Sequence, residues 1–435
     1  MPASFLDNVD LEALAERVGT PFYLYDAATL RRRIADVQAI APGDTVQARY
    51  AMKACSLRRL LEVVREAGIW IDAVSGNEVL RAAAAGFPTG HRPPRILLTA
   101  DVFRDNALAV VREQNVLPNI GSPAMIDALV QAGWRGPIAL RVNPGFGHGH
   151  VQATDTGGPS SKHGIWFDDL DAVRRNARDA GLPIVLLHAH VGSGPQIDEF
   201  TANMSRLEHF FAERIADYPD LEAVNMGGGI PHPYRPEAPA IDLVPVGRAL
   251  AAARERLSRI AGRPLRIEIE PGRYFVAPCA VLVARVTDVK ATRTNEKGPG
   301  HTFVMVDAGF TDLVRPAMYG AYHHITVHGA DPAAPRLPLV VAGPLCESGD
   351  VFTRDDRELL VPRLLPMPRL GDLLVLHDAG AYGVQMSSHY NSLGRAPQLW
   401  LEDGQTFLAS RRETLADIVQ AECFEALPPP RSGGG

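Results

Sequence analysis

The chain has 435 residues, 46% of them hydrophobic, which is enough for two domains with substantial cores. Its formal charge of -6 comes from dispersed charges of both signs and argues against nucleic acid or an anionic membrane as the main partner. No run of about 18 apolar residues could span a bilayer, and residues 1–10 lack the apolar core of a signal peptide, so we expect a cytoplasmic enzyme. The four cysteines are widely spaced without a CxxC pair, which predicts neither a zinc site nor a disulfide framework.

Short β-rich runs alternate with amphipathic, alanine- and arginine-rich stretches, as is typical of a parallel α/β fold. Eight runs are predicted as strands: 46–52, 70–74, 96–99, 117–120, 138–142, 184–190, 223–226 and 265–269. Most of them end in polar or glycine-rich segments. Functional groups collected at the carboxyl ends of eight strands are typical of a (β/α)8 TIM-type barrel, so we expect that fold over residues 31–280.

The texture of the sequence changes after residue 280. Valine, threonine and aromatic runs are separated there by glycine, proline and charged turns, which predicts a mostly β domain over residues 281–425. Residues 21–25 are also strand-like and precede the barrel, so the segment 1–30 is expected to pack with the β domain. Residues 426–435 are predicted to be a disordered tail, and whether this glycine-rich tail is native stays open.

Lys53 closes the first predicted strand and is one of only four lysines in a chain that otherwise uses arginine. An arginine cannot form a Schiff base, whereas an amine at a barrel strand end can bind an aldehyde cofactor covalently. A lone lysine is more often an ordinary solvated residue. The functional interpretation therefore depends on the other strand ends.

Two of these strand ends suggest a phosphate and a carboxylate at the barrel mouth. The glycines of Gly227-Gly-Gly229 expose backbone N–H groups that can cradle an anion, although a strand-to-helix turn also favours glycine. Glu270-Pro-Gly-Arg273 ends the next strand, and a carboxylate beside a second turn of this kind is hard to explain by packing alone. The phosphate interpretation is therefore favoured.

His188 and His190 alternate along one predicted strand, so both project from the same face. No third ligand is obvious, and we expect one imidazole to stack on a ring while the other satisfies the core, with no metal. The long glycine-rich stretch 143–161 follows a barrel strand and suggests a mobile lid.

Motifs along nearly the whole chain resemble the diaminopimelate decarboxylases and occur in the same order. They are Tyr50-Ala-Met-Lys53-Ala54, Asp72-Ala-Val-Ser75-Gly-Asn-Glu78, His190-Val-Gly-Ser193, Gly227-Gly-Gly229, Glu270-Pro-Gly-Arg273, Arg315-Pro-Ala-Met-Tyr319, Cys346-Glu347-Ser-Gly-Asp350 and Gly380-Ala-Tyr382. Segments 141–150, 161–166 and 340–346 look like the enterobacterial-type branch. The resemblance implies an alanine racemase-like fold, pyridoxal 5'-phosphate as the cofactor, and a head-to-tail homodimer with shared active sites.

The resemblance also implies a role for each matching residue. Lys53 would bind the cofactor covalently, Glu270 would keep its pyridine nitrogen protonated, and His190 would stack on its ring. The phosphate would be held by Ser193, Gly229, Gly272, Arg273 and Tyr382, with Asp72 and Glu78 supporting Lys53. The distal carboxylate of the substrate would be bound by Arg273, Arg315 and Tyr319, and its distal ammonium by Glu347, while Tyr382 would also contact the substrate.

Cys346 would donate the proton that replaces carbon dioxide, because a thiol has a suitable pKa for this step. It would reach the site from the other subunit. A buried cysteine is more often a small hydrophobe, but the adjacent Glu347 and Asp350 would be costly to bury unpaired and favour a functional segment. Ornithine-type decarboxylases usually follow this cysteine with aspartate, so Cys346-Glu347 favours diaminopimelate.

We therefore expect decarboxylation of meso-2,6-diaminopimelate to L-lysine and carbon dioxide, the last step of lysine biosynthesis. Two alternatives stay open: a sister decarboxylase acting on a D-configured or carrier-bound amino acid, and a non-catalytic regulatory homologue. The joint presence of Lys53, Glu270 and Cys346 argues against the regulator. The role of His163, where many relatives have phenylalanine in Lys-Phe-Gly, also stays open.

Overall fold

The computed structural model describes residues 4–90, 92–147, 156–192 and 196–425, which form two nine-stranded sheets. Eight parallel strands of one sheet close a barrel. The first of these strands in the chain pairs with the last, and pairing between the fourth and fifth strands completes the ring. These strands are β2 (Val46–Ala51), β3 (Trp70–Ala73), β4 (Ile96–Ala100), β5 (Leu117–Ile120), β6 (Ile138–Asn143), β8 (Ile184–His188), β9 (Ala223–Asn225) and β10 (Arg266–Ile269). All eight predicted strands are confirmed, and β7 (Ile165–Trp166) adds to the edge of β6.

The longer helices bury an apolar face and keep most of their charged residues towards solvent. They are α1 (Leu11–Val18), α2 (Ala27–Ile40), α3 (Arg58–Glu66), α4 (Gly76–Ala84), α5 (Ala107–Gln114), α6 (Ala124–Gln131), α7 (Leu170–Asp179), α8 (Ile197–Ala212), α9 (Val244–Ala261), α10 (Arg273–Val276), α11 (Arg315–Tyr319) and α12 (Leu415–Val419). Among the described helices, none is long and apolar enough to cross a bilayer.

The second sheet contains β1 (Phe22–Asp26) at its centre, although this strand precedes the barrel in the chain. β1 pairs antiparallel with β11 (Ala280–Ala291) and parallel with β17 (Gln398–Glu402). The other strands are β12 (Thr302–Val306), β13 (Ile325–Val327), β14 (Arg336–Ala342), β15 (Arg363–Pro366), β16 (Leu373–Leu376) and β18 (Gln405–Ser410). The mostly β second domain is thus confirmed as a sheet. The domain limits at residues 30 and 280 stay a prediction, and the predicted tail 426–435 lies outside the described residues.

The barrel interior contains an ion pair between neighbouring strands. Arg49 on β2 and Glu268 on β10 are 0% exposed, and their Nε and Oε2 atoms are 2.6 Å apart. A second contact joins Arg49 Nη2 to Glu268 Oε1 at 3.1 Å, so the pair is bidentate. Arg266 also donates to Glu268 at 2.9 Å. These buried charges compensate one another and serve the fold.

Candidate active site

Lys53 lies on a turn of 3-10 helix, Met52–Ala54, directly after β2. Its exposed side chain lines a cavity of about 550 Å³ together with Thr99, Arg141 and His190. Within the described ranges no carboxylate forms an ion pair with its amine. The turn is held from the second domain, because the Tyr382 N–H donates to the Ala54 carbonyl at 2.8 Å. The strand-end prediction therefore holds: the amine faces a cavity at the carboxyl end of the barrel.

Glu270 follows β10 and is buried between two partners. Asn225 Nδ2 donates to its Oε1 at 2.7 Å, and His188 Nε2 lies 3.2 Å from its Oε2. Burial raises the pKa of Glu270, but the contact with His188, together with the positive charge of Lys53, outweighs burial and lowers the pKa to about 2. The site therefore holds an ionised carboxylate. His188 fills the core position beneath it, where its Nδ1 accepts from Asn119 at 2.8 Å.

His190 is held as a neutral imidazole. Burial lowers its pKa well below the ordinary value, and the positive charges of Lys53 and Arg141 lower it further. Its Nδ1 accepts from the Gly228 N–H at 3.2 Å, which fixes the tautomer with the proton on Nε2. A neutral flat ring beside Lys53 suits stacking on an aromatic ligand.

Asp72 is a second buried carboxylate in this region. Its pKa is raised well above the ordinary value, first by burial and then by the negative charge of Glu270, whereas the pKa of Glu270 is lowered. Its Oδ1 has no hydrogen-bond partner within the described residues. Glu78 instead caps α4, where its Oε2 accepts from the Val74 N–H at 2.7 Å while Ser75 Oγ accepts from the Glu78 N–H at 3.1 Å.

The glycine turns bring backbone from neighbouring strand ends into close contact. A Cβ on Gly228 would lie 2.3 Å from the Glu270 carbonyl oxygen, and one on Gly229 would lie 2.7 Å from the Gly192 carbonyl oxygen. Gly229 also has a φ of +123, which disfavours other residues. A Cβ on Gly272 would meet the Ala51 carbonyl oxygen at 3.1 Å. These glycines allow the close packing of backbone at the strand ends, whereas Ser193 of the expected phosphate site lies outside the described residues.

Arg273 and Arg315 form a cluster around Tyr234, beside the turn that holds Lys53. Arg273 Nη1 donates to the Tyr234 hydroxyl at 3.0 Å, and its guanidinium carbon lies 5.1 Å from the centre of the Tyr382 ring. Arg315 is only 6% exposed and lies 4.7 Å from the centre of the Tyr234 ring. Tyr319 interacts electrostatically with both guanidinium groups. In the part of the chain that the structure describes, neither arginine faces a carboxylate.

Sequence reasoning missed two members of this cluster, Tyr234 and His323. His323 accepts from Arg315 Nη1 through Nε2 at 2.8 Å and donates through Nδ1 to the His377 carbonyl at 2.9 Å. Burial, followed by the charge of Arg315, lowers its pKa well below the ordinary value, so it is a neutral acceptor. Tyr234 stands five residues after Gly229, and this position in a strand-end loop was the one available signal.

Cys346 and Glu347 are exposed in a turn after β14, and among the described residues they make no contact with the Lys53 cavity. Glu347 is therefore not buried in this single chain, and its expected role stays a prediction. Asp350 is buried, but it accepts from the N–H groups of Phe310 at 2.7 Å and Leu345 at 2.9 Å. Asp350 thus shapes the turn that presents the cysteine.

His163 belongs to a charged cluster at the edge of the cavity. Its Nδ1 lies 2.8 Å from Asp101 Oδ2, and the same carboxylate pairs with Arg141 at 3.4 Å and Lys162 at 3.2 Å. Burial raises the pKa of Asp101, but His163 and Arg141 outweigh burial and lower the pKa below its usual range. Asp101 therefore orients Arg141, which lines the cavity with Lys53.

Hydrogen bonds join the two ends of the predicted lid, residues 143–161, in the part that the structure describes. Asn143 Oδ1 accepts from the Gly158 N–H at 2.8 Å, and Asn143 Nδ2 donates to the Gly158 carbonyl at 2.9 Å. Residues 148–155 lie outside the described ranges, so the mobility of the lid stays a prediction. Among the described residues, no group of three or more His, Cys, Asp or Glu side chains is arranged to hold a metal ion.

A parallel barrel with a lysine, a neutral histidine, an ionised glutamate and glycine turns at its carboxyl end defines a pyridoxal-dependent enzyme. Residues 27–277 match the family model for the pyridoxal binding domain of pyridoxal-dependent decarboxylases. Diaminopimelate decarboxylase from Escherichia coli K12 is 43% identical over 433 residues, which cover 97% of this chain and 100% of the relative. That from Streptomyces coelicolor is 42% identical over 96% of this chain and 92% of its own length.

Solved structures agree with these relatives. A crystal structure of diaminopimelate decarboxylase superposes with a TM-score of 0.86 at 42% identity, covering 94% of this chain and 95% of the other. The enzyme from Helicobacter pylori complexed with L-lysine gives a TM-score of 0.82 at 28% identity, covering 94% of this chain and 98% of the other. The chain belongs to the diaminopimelate decarboxylase family.

Proposed function

We propose that the chain decarboxylates meso-2,6-diaminopimelate to L-lysine and carbon dioxide, as the last step of lysine biosynthesis. The observation that carries this proposal is the pair of guanidinium groups, Arg273 and Arg315, that face no carboxylate among the described residues. Positive charges held in this way near a reactive lysine favour a substrate with a second carboxylate. A substrate that ended in a bare ammonium would be repelled there.

Pyridoxal 5'-phosphate fits the residues around Lys53. The free amine of Lys53 supplies the covalent attachment, the Gly229 and Gly272 turns with Tyr382 offer a phosphate cradle, and neutral His190 offers a stacking face. Asp72 would support Lys53 from below. The bound cofactor supplies an electron sink for the electron pair that remains when carbon dioxide leaves.

Two side chains have separate roles in handling protons, one at the cofactor and one at the substrate carbon. Glu270 is ionised at neutral pH and can hold a proton on the pyridine nitrogen, because its pKa is lowered to about 2. Protonation of the substrate carbon needs an acid on one face, and Cys346 is the proposed donor. Its exposure in this chain supports a head-to-tail homodimer in which Cys346 and Glu347 complete the site of the partner subunit. Glu347 would then bind the distal ammonium.

A reducing, cytoplasmic location is part of the proposal. All four cysteines are free thiols, and Cys55 and Cys279 are buried, with pKa values raised by burial. The arrangement therefore needs no oxidising compartment.

The test is the reaction itself. Purified protein with pyridoxal phosphate should release carbon dioxide and L-lysine in equal amounts from meso-diaminopimelate. Lys53→Ala should lose this activity and the cofactor trapped by borohydride, whereas Lys290→Ala, on β11, should keep both. A panel of D-configured and carrier-bound amino acids run in parallel would refute the substrate if one of them were turned over faster.

A further inference from the structure

Tyr234 has an unusual set of neighbours for a residue in a strand-end loop. Its ring is approached by Arg315 at 4.7 Å and Arg273 at 5.9 Å, measured from guanidinium carbon to ring centre. The rings of His232 and His323 meet it edge-on at 4.9 Å and 5.5 Å between ring centres. One tyrosine thus contacts both proposed carboxylate-binding arginines and the neutral histidine that accepts from one of them.

The two guanidinium groups need such a neighbour, because like charges repel and neither faces a carboxylate among the described residues. The negative face of an aromatic ring attracts cations without neutralising them. Tyr234 can therefore hold both arginines in place and leave their charge available to a ligand. A carboxylate side chain at the same position would hold them more tightly but would occupy the ligand's place.

The hydroxyl of Tyr234 adds a directional element. It accepts from Arg273 Nη1 at 3.0 Å, so its own proton remains to be donated elsewhere. A hydroxyl that accepts from a guanidinium is polarised and becomes a better donor. A ligand carboxylate lying between the two arginines would be a suitable acceptor for that proton.

We infer that Tyr234 is a specificity-determining residue that positions Arg273 and Arg315 for the distal carboxylate of the substrate. This inference rests on the proposed function. It adds the residue that holds the two arginines, neither of which has a carboxylate partner among the described residues, in position to bind a substrate carboxylate. Tyr234 is thus a positioning residue for Arg273 and Arg315, since it acts through their guanidinium groups.

Two substitutions separate the ring from the hydroxyl. Tyr234→Phe keeps the aromatic face and loses the contact with Arg273, so KM for meso-diaminopimelate should rise about threefold to tenfold with kcat little changed. Tyr234→Leu loses both contributions, and KM should rise about tenfold to a hundredfold. The visible absorbance of the bound cofactor should stay unchanged in both variants, because Tyr234 does not contact Lys53.

Tyr322 provides a matched control. Its ring is also stacked by two arginines, Arg235 at 4.3 Å and Arg363 at 4.2 Å, but it contacts neither Arg273 nor Arg315. Tyr322→Phe and Tyr322→Leu should leave KM for meso-diaminopimelate within about twofold of the wild type. If KM rose in the Tyr322 variants as much as in the Tyr234 variants, the inference would be overturned. The effect would then come from disturbing any arginine that stacks on a tyrosine.

A binding measurement without turnover separates this inference from the proposed function. Pimelate and heptanoate have the same chain length and no amine, and only pimelate carries a second carboxylate. Calorimetry on wild-type holoenzyme should give tighter binding of pimelate, and Tyr234→Leu should lose that preference while Tyr322→Leu keeps it. A wild-type protein without the preference would refute distal carboxylate recognition and the inference with it. A preference that survives Tyr234→Leu would overturn the inference and leave the proposed function standing.

Discussion

Replacing Arg315 with methionine should separate stability from function. Arg315 is 6% exposed, and its described favourable contacts are the hydrogen bond to His323 at 2.8 Å and the stacking on Tyr234 at 4.7 Å. These contribute about 1.5–3 kcal/mol and about 0.5–2 kcal/mol respectively, whereas burying a charge costs several kcal/mol. Methionine covers the same ring without the charge. The melting temperature of ligand-free Arg315→Met should therefore equal or exceed that of the wild type.

The same substitution should damage the reaction. A lost charge-assisted contact to the distal carboxylate is worth about 1.5–3 kcal/mol, so kcat/KM for meso-diaminopimelate should fall about tenfold to about 150-fold. Carbon dioxide release measures this loss, and differential scanning fluorimetry measures the melting temperature. Arg363→Met is the matched control, since Arg363 also stacks on a tyrosine and burial also lowers its pKa.

Two results would refute this reasoning. A melting temperature that falls together with activity would mean that Arg315 supports the fold. An equal proportional loss of any trace activity on L-lysine, which has no distal carboxylate, would mean that the arginine acts on the cofactor or the chemistry instead.

Three further outcomes are expected. Lys53→Ala protein should be inactive, and the activity of Cys346→Ala protein should fall by roughly 100-fold to 10,000-fold. Mixing the two proteins, with subunit exchange verified, should restore activity. No recovery would contradict a shared site. His163→Asn, which keeps a donor for Asp101, should retain the affinity for pyridoxal phosphate, whereas His163→Phe should weaken it severalfold in titrations of apoprotein; equal affinities would contradict the positioning of Arg141 through Asp101. Burial lowers the pKa of His377 to about 4 from 6.5, so roughly 3 kcal/mol of unfolding free energy should be present above pH 6.5 and lost as the pH falls towards 4. Urea unfolding at several pH values measures this change of unfolding free energy with pH. The change should be smaller in His377→Gln.

The barrel was predictable because each of its strands is a short apolar run with its own turn signals. Parallel strands buried on both faces leave this pattern in the sequence, and a closed ring places all their carboxyl ends together. Lys53 and Glu270 could therefore be placed at one mouth without knowing any contact between them. The pairing of β1 with β11 was suggested only by the strand-like composition of residues 21–25.

The contacts around Arg315 could not be predicted, because they join segments that are distant in the sequence. Tyr234 comes from a loop of the barrel, while Arg315 and His323 come from the second domain. The loop of Tyr234 and the short helix α11 that begins at Arg315 have no periodicity that fixes the direction of a side chain. The pKa shifts are also a property of the assembled site: Glu270 and Asp72 are both carboxyl groups at strand ends, and only their neighbours decide which pKa is lowered and which is raised.

As far as the structure describes it, the single chain supplies positive charge but no partner for an ammonium group at the distal end of the proposed substrate. Diaminopimelate carries a carboxylate and an ammonium there, so its recognition needs both a cation and an anion. Among the described residues the chain supplies Arg273 and Arg315 as cations, while Glu347 is exposed beside Cys346 and forms no ion pair with either. A second copy that brought Glu347 to this site would bring Cys346 with it. Binding of the distal ammonium and donation of the proton would then depend on the same turn, so substrates lacking that ammonium should lose kcat as well as affinity.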